Sequence, residues 1–378
     1  MQIIPIASGK GGVGKSLLSA NLAIALGQAG KKVLLVDLDL GASNLHLVIG
    51  QASPKVGIGT FLTGQSTFDQ IIIPTDYENV SFIAGDSEIP GLTSLKQSQK
   101  NELIKHFNNA NYDYLILDLG AGTHLTILDM FLLSPQGIIV TAPTVTATLN
   151  GYLFLKNVTF RMMYNTFKKD TPAYKYLEQL KKDSASLQRL YLPKLIENLE
   201  SVDPENTKIF KSRMKEFRPR LILNMIDDPK DTDRAQKIRR SCQQYLGIDL
   251  EHLGVIYRDT MQDKALASRL PVIIYKPQSV IGQGIYRVAE KILQSETLKF
   301  DDDYDLTQAS ETSFEIATEE ANDDFSQKMQ YIEELTGTGA LTMGELAEII
   351  KQQQYEIKQL KTENTFLKKK LVEALQRR

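Results

Sequence analysis

Apolar residues fall in two rhythms along this chain. Short runs rich in Val, Ile and Leu stand at residues 3–7, 33–37, 114–118, 137–141, 221–226 and 254–257. Unbroken runs of this length suit strands buried on both faces of a parallel sheet. Between them the apolar positions recur at helical spacing. Residues 16–29 place Leu18, Leu22 and Leu26 on one face and stop at Gly30, and residues 98–108, 148–167, 231–245 and 279–293 read as helices too. Strand and helix in alternation predict an α/β fold with a doubly wound, mainly parallel sheet. Two places fit less well. Pro5 lies inside the first run, where proline removes a ladder donor. Residues 51–100 offer a loop marked by Gly and Pro, then weak runs at 70–74 and 80–84 that read as a strand or hairpin on the sheet's edge.

The pattern breaks in three places. Residues 168–218 separate a helix from the next strand and read as a helical insertion within a domain spanning 1–295. Twelve Lys/Arg against eight Asp/Glu leave that insertion mildly positive. Residues 300–327 hold ten Asp/Glu and no Lys/Arg. So acidic a run predicts a disordered linker over 296–340. A heptad then runs through 341–378. Its a positions are Met343, Ile350, Ile357, Asn364 and Leu371, and its d positions are Leu346, Gln353, Leu360, Leu367 and Ala374. Ile at a with Leu at d favours a parallel two-stranded coiled coil, and one buried Asn fixes register. The rival is an amphipathic helix on a membrane surface, with Phe366, Leu367, Leu371 and Leu375 beside Lys368, Lys369, Lys370, Arg377 and Arg378.

Composition adds few constraints. The 378 residues are 42% hydrophobic, with a net charge of −2 and a pI near 6.2, so no global basic character points to nucleic acid. Cys242 is the sole cysteine, which excludes an internal disulfide and suits a reducing cytosol. No stretch of 18 apolar residues occurs, and the chain opens on a strand without a basic leader, so neither a membrane span nor a secretory signal is expected. The four histidines are scattered without metal-ligand spacing.

The chemistry concentrates at the ends of the predicted strands. Gly9-Lys10-Gly11-Gly12-Val13-Gly14-Lys15-Ser16 fits the phosphate-binding P-loop pattern, placed between a strand and a helix as that motif requires. Backbone N–H groups in such a loop close around phosphate oxygens, and the helix N-terminus adds positive potential. Lys15 is placed to reach the β- and γ-phosphates and Ser16 to hold Mg²⁺. The second strand delivers Asp37 and Asp39, followed by Gly41 and Asn44. The strand at 114–118 ends on Asp118, which resembles a Walker B acid, the residue that holds Mg²⁺ through water, and Leu119-Gly120-Ala121-Gly122 follows.

With Lys10 included, the loop resembles the deviant P-loop of the MinD/ParA family of ATPases, and the resemblance covers about residues 1–295 less the insertion. It implies ATP and Mg²⁺ as ligands and slow, partner-activated hydrolysis. It also implies that Lys10 reaches the nucleotide held by a partner subunit, so that two heads meet on ATP. Asp39, in a segment similar to the family's first switch, is then the residue that orients the attacking water and assists Mg²⁺, with Asp37 nearer the loop lysines. Residues 118–122 resemble the second switch. Asn224 resembles the family's base-reading asparagine, and Pro271 its base-pocket loop. Pro143-Thr144 departs from the family's Pro-Glu, which puts in doubt any partner contact made by that glutamate. The nearest branches are MinD-like and FlhG-like, so the expected role is spatial regulation of a division site or of flagellar placement and number. The expected location is cytoplasmic, peripheral at the inner membrane face or at a cell pole. The implied partners are a second copy, held also by the C-terminal coiled coil, and a protein activator or cargo. The alternatives are a ParA-like DNA or cargo partitioning ATPase, supported by Arg234, Lys237, Arg239, Arg240 and Arg258, and a nucleotide-binding scaffold with negligible turnover.

Overall fold

The computed structural model describes residues 1–39, 43–85, 95–182, 191–295 and 305–337. Eight strands form one sheet: β1 (Gln2–Ser8), β2 (Val33–Leu38), β3 (Ile73–Pro74), β4 (Val80–Ile83), β5 (Tyr114–Ala121), β6 (Ile138–Thr141), β7 (Arg220–Ile226) and β8 (Glu251–Tyr257). Their order is β3-β4-β2-β5-β1-β6-β7-β8, parallel throughout except for the antiparallel β3 at one edge. All six residues of β2 are buried, as is all but the last residue of β5, so helices cover both faces. On one side the helices Lys15–Gln28 and Val280–Ser295 pack together, and Tyr286 donates to Gln28 Oε1 at 2.9 Å. The helices Leu125–Phe131, Val145–Thr166 and Thr232–Leu246 form a second group.

Pro5 finds its place in this ladder. It pairs with Leu117 of β5, but pairing to β6 begins only at Ile6, so the proline interrupts no rung on that side. The run at 70–74 is divided: Gln70 and Ile71 end a turn of helix, and Ile73–Pro74 form the edge strand β3, paired antiparallel with β4. A turn of helix, Phe68–Ile71, precedes the two-residue β3, because Thr67 and Gln70 close a capping box and Phe68 and Ile71 are buried. The helix Gln97–Asn109 buries Lys100, Leu103 and Phe107 on one face. Between the long helix and β7, the described residues carry three helices: Pro172–Lys182, Leu192–Val202 and Pro204–Glu216.

The largest departure from expectation is the acidic stretch. Residues Leu306–Gly337 form a helix where composition predicts a disordered linker. Ser310, Phe314, Ala317, Ala321 and Asp324 are buried along it, a stripe at helical spacing. The stripe lies along β8, an edge strand with an open ladder. Ser310 donates to the Leu250 carbonyl at 2.6 Å, Ser313 accepts from His252 N at 3.0 Å, and Tyr257 donates to the Ala321 carbonyl at 2.8 Å. Acidic charge is offset by cations far away in sequence: Glu311 pairs with Arg239 at 3.1 Å, Glu320 with Lys291 at 2.7 Å, and Asp324 with Arg287. Covering an edge strand in this way also protects it from pairing with other chains. The chain divides after Asp324 into two units, and the second begins with the last residues of this helix. The heptad over 341–378 lies outside the described residues.

Candidate functional site

The carboxyl ends of β1, β2, β5 and β7 bring the motif residues together, where ligands sit in open α/β sheets. β1 runs directly into the glycine-rich loop. Gly12 and Gly14 take positive φ values of 80° and 84°, conformations that favour glycine. A Cβ at Gly9 would come within 2.1 Å of the Asn150 carbonyl oxygen, so this glycine lets the loop lie against the long helix Val145–Thr166. No side chain caps the N-terminus of the helix Lys15–Gln28. Its first N–H groups are therefore the ones an anion takes.

Lys15 is buried and donates to Asp118 Oδ1 at 2.7 Å. Ser19 donates to the same oxygen at 2.7 Å, which leaves Asp118 Oδ2 buried without a partner. An orphaned carboxylate oxygen carries a large desolvation cost. It fits a ligand: a hydrated Mg²⁺ beside Ser16 would satisfy it, with Lys15 freed toward phosphate. The residues present thus fit a magnesium nucleotide. Ser16, Asp118 and Asp39 would hold the metal, the loop and Lys15 the phosphates. Bound Mg²⁺ supplies charge neutralisation for phosphoryl transfer.

Asp37 lies beside Asp118 across the β2–β5 register. Its contacts are within its own strand-end loop and not with the lysines: it accepts from Ser43 Oγ at 2.7 Å, Asp39 N at 3.0 Å and Leu45 N at 3.3 Å. Burial, reinforced by the charge of Asp118, pushes its carboxyl up to about 6. Asp37 therefore ties the segment carrying Asp39 to the end of β2. Asp39 itself reaches over Gly120, where a Cβ would come within 3.3 Å of Asp39 Oδ1 and 3.4 Å of Ile127 Cδ1. The two switch-like segments meet at this glycine.

Lys10 is exposed at the loop mouth and donates to Thr146 Oγ1 at 3.3 Å, in the first turn of the long helix. Asn224 is buried at the end of β7, and its amide donates to the Val13 carbonyl at 2.8 Å. This places Asn224 behind the P-loop as a brace. A Cβ at Gly14 would come within 2.2 Å of that amide nitrogen. The next residue, Met225, has φ 61° at a shift in the β7–β8 register, a bulge that sequence reading misses. Pro271 precedes the short helix Val272–Tyr275, and Ile273 N donates to Asn21 Oδ1 at 3.2 Å, fixing that loop to the P-loop helix. The structure thus gathers Gly9 to Ser16, Asp39, Asp118 and Asn224 at one end of the sheet, with the Pro271 loop held to the same helix.

Residues 1–162 match a family model described as ParA, the NUBPL iron-transfer P-loop NTPases. The flagellum site-determining protein YlxH of Helicobacter pylori is 35% identical over 160 residues, covering 41% of this chain and 53% of that protein. The septum site-determining protein MinD of the same organism is 32% identical over 148 residues, covering 38% and 54% respectively. The chain thus spans about half the length of the curated relatives it matches. A similar fold occurs in the septum site-determining protein MinD of Pyrococcus horikoshii, solved in complex with Mg-ADP. The TM-score is 0.53 at 24% identity, covering 79% of this chain and 99% of that one.

Proposed function

We propose that this chain, whose residues 1–162 match the ParA family model, is a ParA/MinD-like, slow, magnesium-dependent ATPase whose nucleotide state governs an encounter between two copies. The observation that carries the reading is the Lys15–Asp118 pair with its orphaned Oδ2, beneath a loop whose mouth presents a second lysine. Asp39 orients the attacking water. Lys10 serves the nucleotide of the facing copy. Its partner Thr146 is on the long helix, which also leaves Val145, Leu149 and Leu153 exposed, and such an apolar row is a surface suited to being covered. The heptad over 341–378 holds the two copies as a parallel coiled coil, so the nucleotide-free chain should sediment as a dimer; a monomer would sink that part.

The role is spatial regulation at the inner face of a membrane or a cell pole, as the names of the septum- and flagellum-site relatives suggest. Among the described residues no helix is long and apolar enough to cross a membrane. DNA partitioning is less favoured, because Arg239, at the centre of the basic cluster, is already engaged by Glu311 and Gln236. Phosphate release tests the reading. Asp39→Ala should bind MgATP within about threefold of wild type while turnover falls about hundredfold. Loss of binding would reject the role assigned to Asp39.

A further inference from the structure

A partly buried charge cluster lies one helix away from the P-loop residues. Asp129, on the helix Leu125–Phe131, accepts from Arg161 Nε at 2.6 Å and Nη2 at 3.0 Å, and from Lys100. Its side chain is 14% exposed and that of Lys100 is 8% exposed. Burial opposes the Asp129 charge, but the hydrogen bonds from Arg161 and Lys100 outweigh it and hold the carboxyl below its usual range. These three residues come from three helices, Gln97–Asn109, Leu125–Phe131 and Val145–Thr166.

The cluster stands between two parts of the site. Its own helix follows directly on residues 118–122, and Ile127, two residues before Asp129, packs at Gly120 beneath Asp39. The helix carrying Arg161 begins at Val145, where Thr146 accepts from Lys10 and Asn150 lies against Gly9. Phe131 packs edge-on against Phe154 of that same helix, with centroids 5.1 Å apart. A continuous path of packed and hydrogen-bonded groups therefore runs from Asp39 and Gly120, through Asp129 and Arg161, to the helix that steadies Lys10.

We propose that Asp129 is a positioning residue: it locks the helix after residues 118–122 to the long helix, so that the state of that loop sets how Lys10 and the Val145, Leu149 and Leu153 face are presented. A bidentate grip suits this task, because Arg161 fixes the orientation of the carboxylate as well as its distance. Helices joined by such a grip move together, and a loop that shifts with nucleotide carries them along. The inference rests on the ATPase reading above.

Hydrogen exchange over residues 145–153 of the full chain tests it, in Mg·ADP and in Mg with a non-hydrolysable ATP analogue, alongside nucleotide affinity and turnover. Wild type should show protection specific to the triphosphate. Asp129→Asn should lose that protection and about tenfold in turnover, with nucleotide affinity within about twofold, and Asp129→Glu should restore part of both. Arg161→Lys keeps the buried charge balance but loses the fork, and should show the same split should Asp129→Asn fail to fold. Variants that match wild type in protection and turnover overturn this inference alone. So do variants that lose affinity, turnover and melting temperature together in every nucleotide state, which is a purely structural role. A wild type without triphosphate-specific protection overturns the two-copy reading and the inference with it.

Discussion

Acidic side chains are paired differently in two regions of this sheet. At the carboxyl ends of β1, β2 and β5, Asp118 keeps one oxygen without a partner and Asp37 is pushed up to about 6 by burial and its acidic neighbour. Along β8, acidic residues of the helix Leu306–Gly337 meet Arg239, Arg287 and Lys291, and Phe314 packs against His252 and under Arg239. The first region holds a charge pattern that a bound cation and phosphate would complete, at a cost in stability. The second uses charge and apolar area to close an exposed edge. The lesson is that local acidity alone does not separate a ligand site from a structural seam; what does is whether the partners are already present in the fold.

His252 is the exception to that contrast on the β8 side. It is buried in β8 beneath Phe314, with ring centroids 4.8 Å apart, and neither ring nitrogen has a partner. Burial, helped by Lys291, lowers its pKa from 6.5 to about 3. The folded state thus holds the ring neutral while the unfolded chain takes up a proton below about pH 6.5. Stability is fully present above that pH and is lost as pH falls toward about 3, by on the order of 5 kcal/mol at most. Denaturant titrations across this window should show His252→Leu flattening the acid loss while leaving MgATP affinity at pH 7 unchanged. An unaltered acid profile would mean that other groups drive it. Next in size, Phe314→Ala should cost about 4 kcal/mol in the same titrations, again without touching nucleotide affinity. If it changes affinity, the two regions are not separable as described.

The nucleotide end was the more legible in sequence. Its residues sit in short fixed patterns: Lys15 opens the helix after the P-loop, and Asp39 and Asp118 fall at the ends of plain apolar runs. What sequence could not show is who pairs with whom across distance. Asn224 bracing Val13 spans 211 positions, and Asp129 meets Lys100 and Arg161 from 29 and 32 positions away. The helix Leu306–Gly337 was misread for the same reason. A local charge count sees ten acids and no cation, whereas the offsetting cations come from helices on either side of β8. A signal was present all the same: Ser310, Phe314, Ala317, Ala321 and Asp324 follow one helical stripe, but only one of the five is a large apolar residue.

The central claim is that the two P-loop lysines serve different nucleotides, Lys15 that of its own copy and Lys10 that of the facing one. Parallel measurement of MgATP affinity and steady-state phosphate release tests it most directly. Lys15→Ala should lose affinity by about hundredfold or more, since it removes the cation aimed at phosphate and strands Asp118. Lys10→Ala should bind MgATP like wild type and lose about tenfold or more in turnover. A Lys10→Ala protein that turns over ATP at the wild-type rate, or one that loses affinity as Lys15→Ala does, would contradict the account.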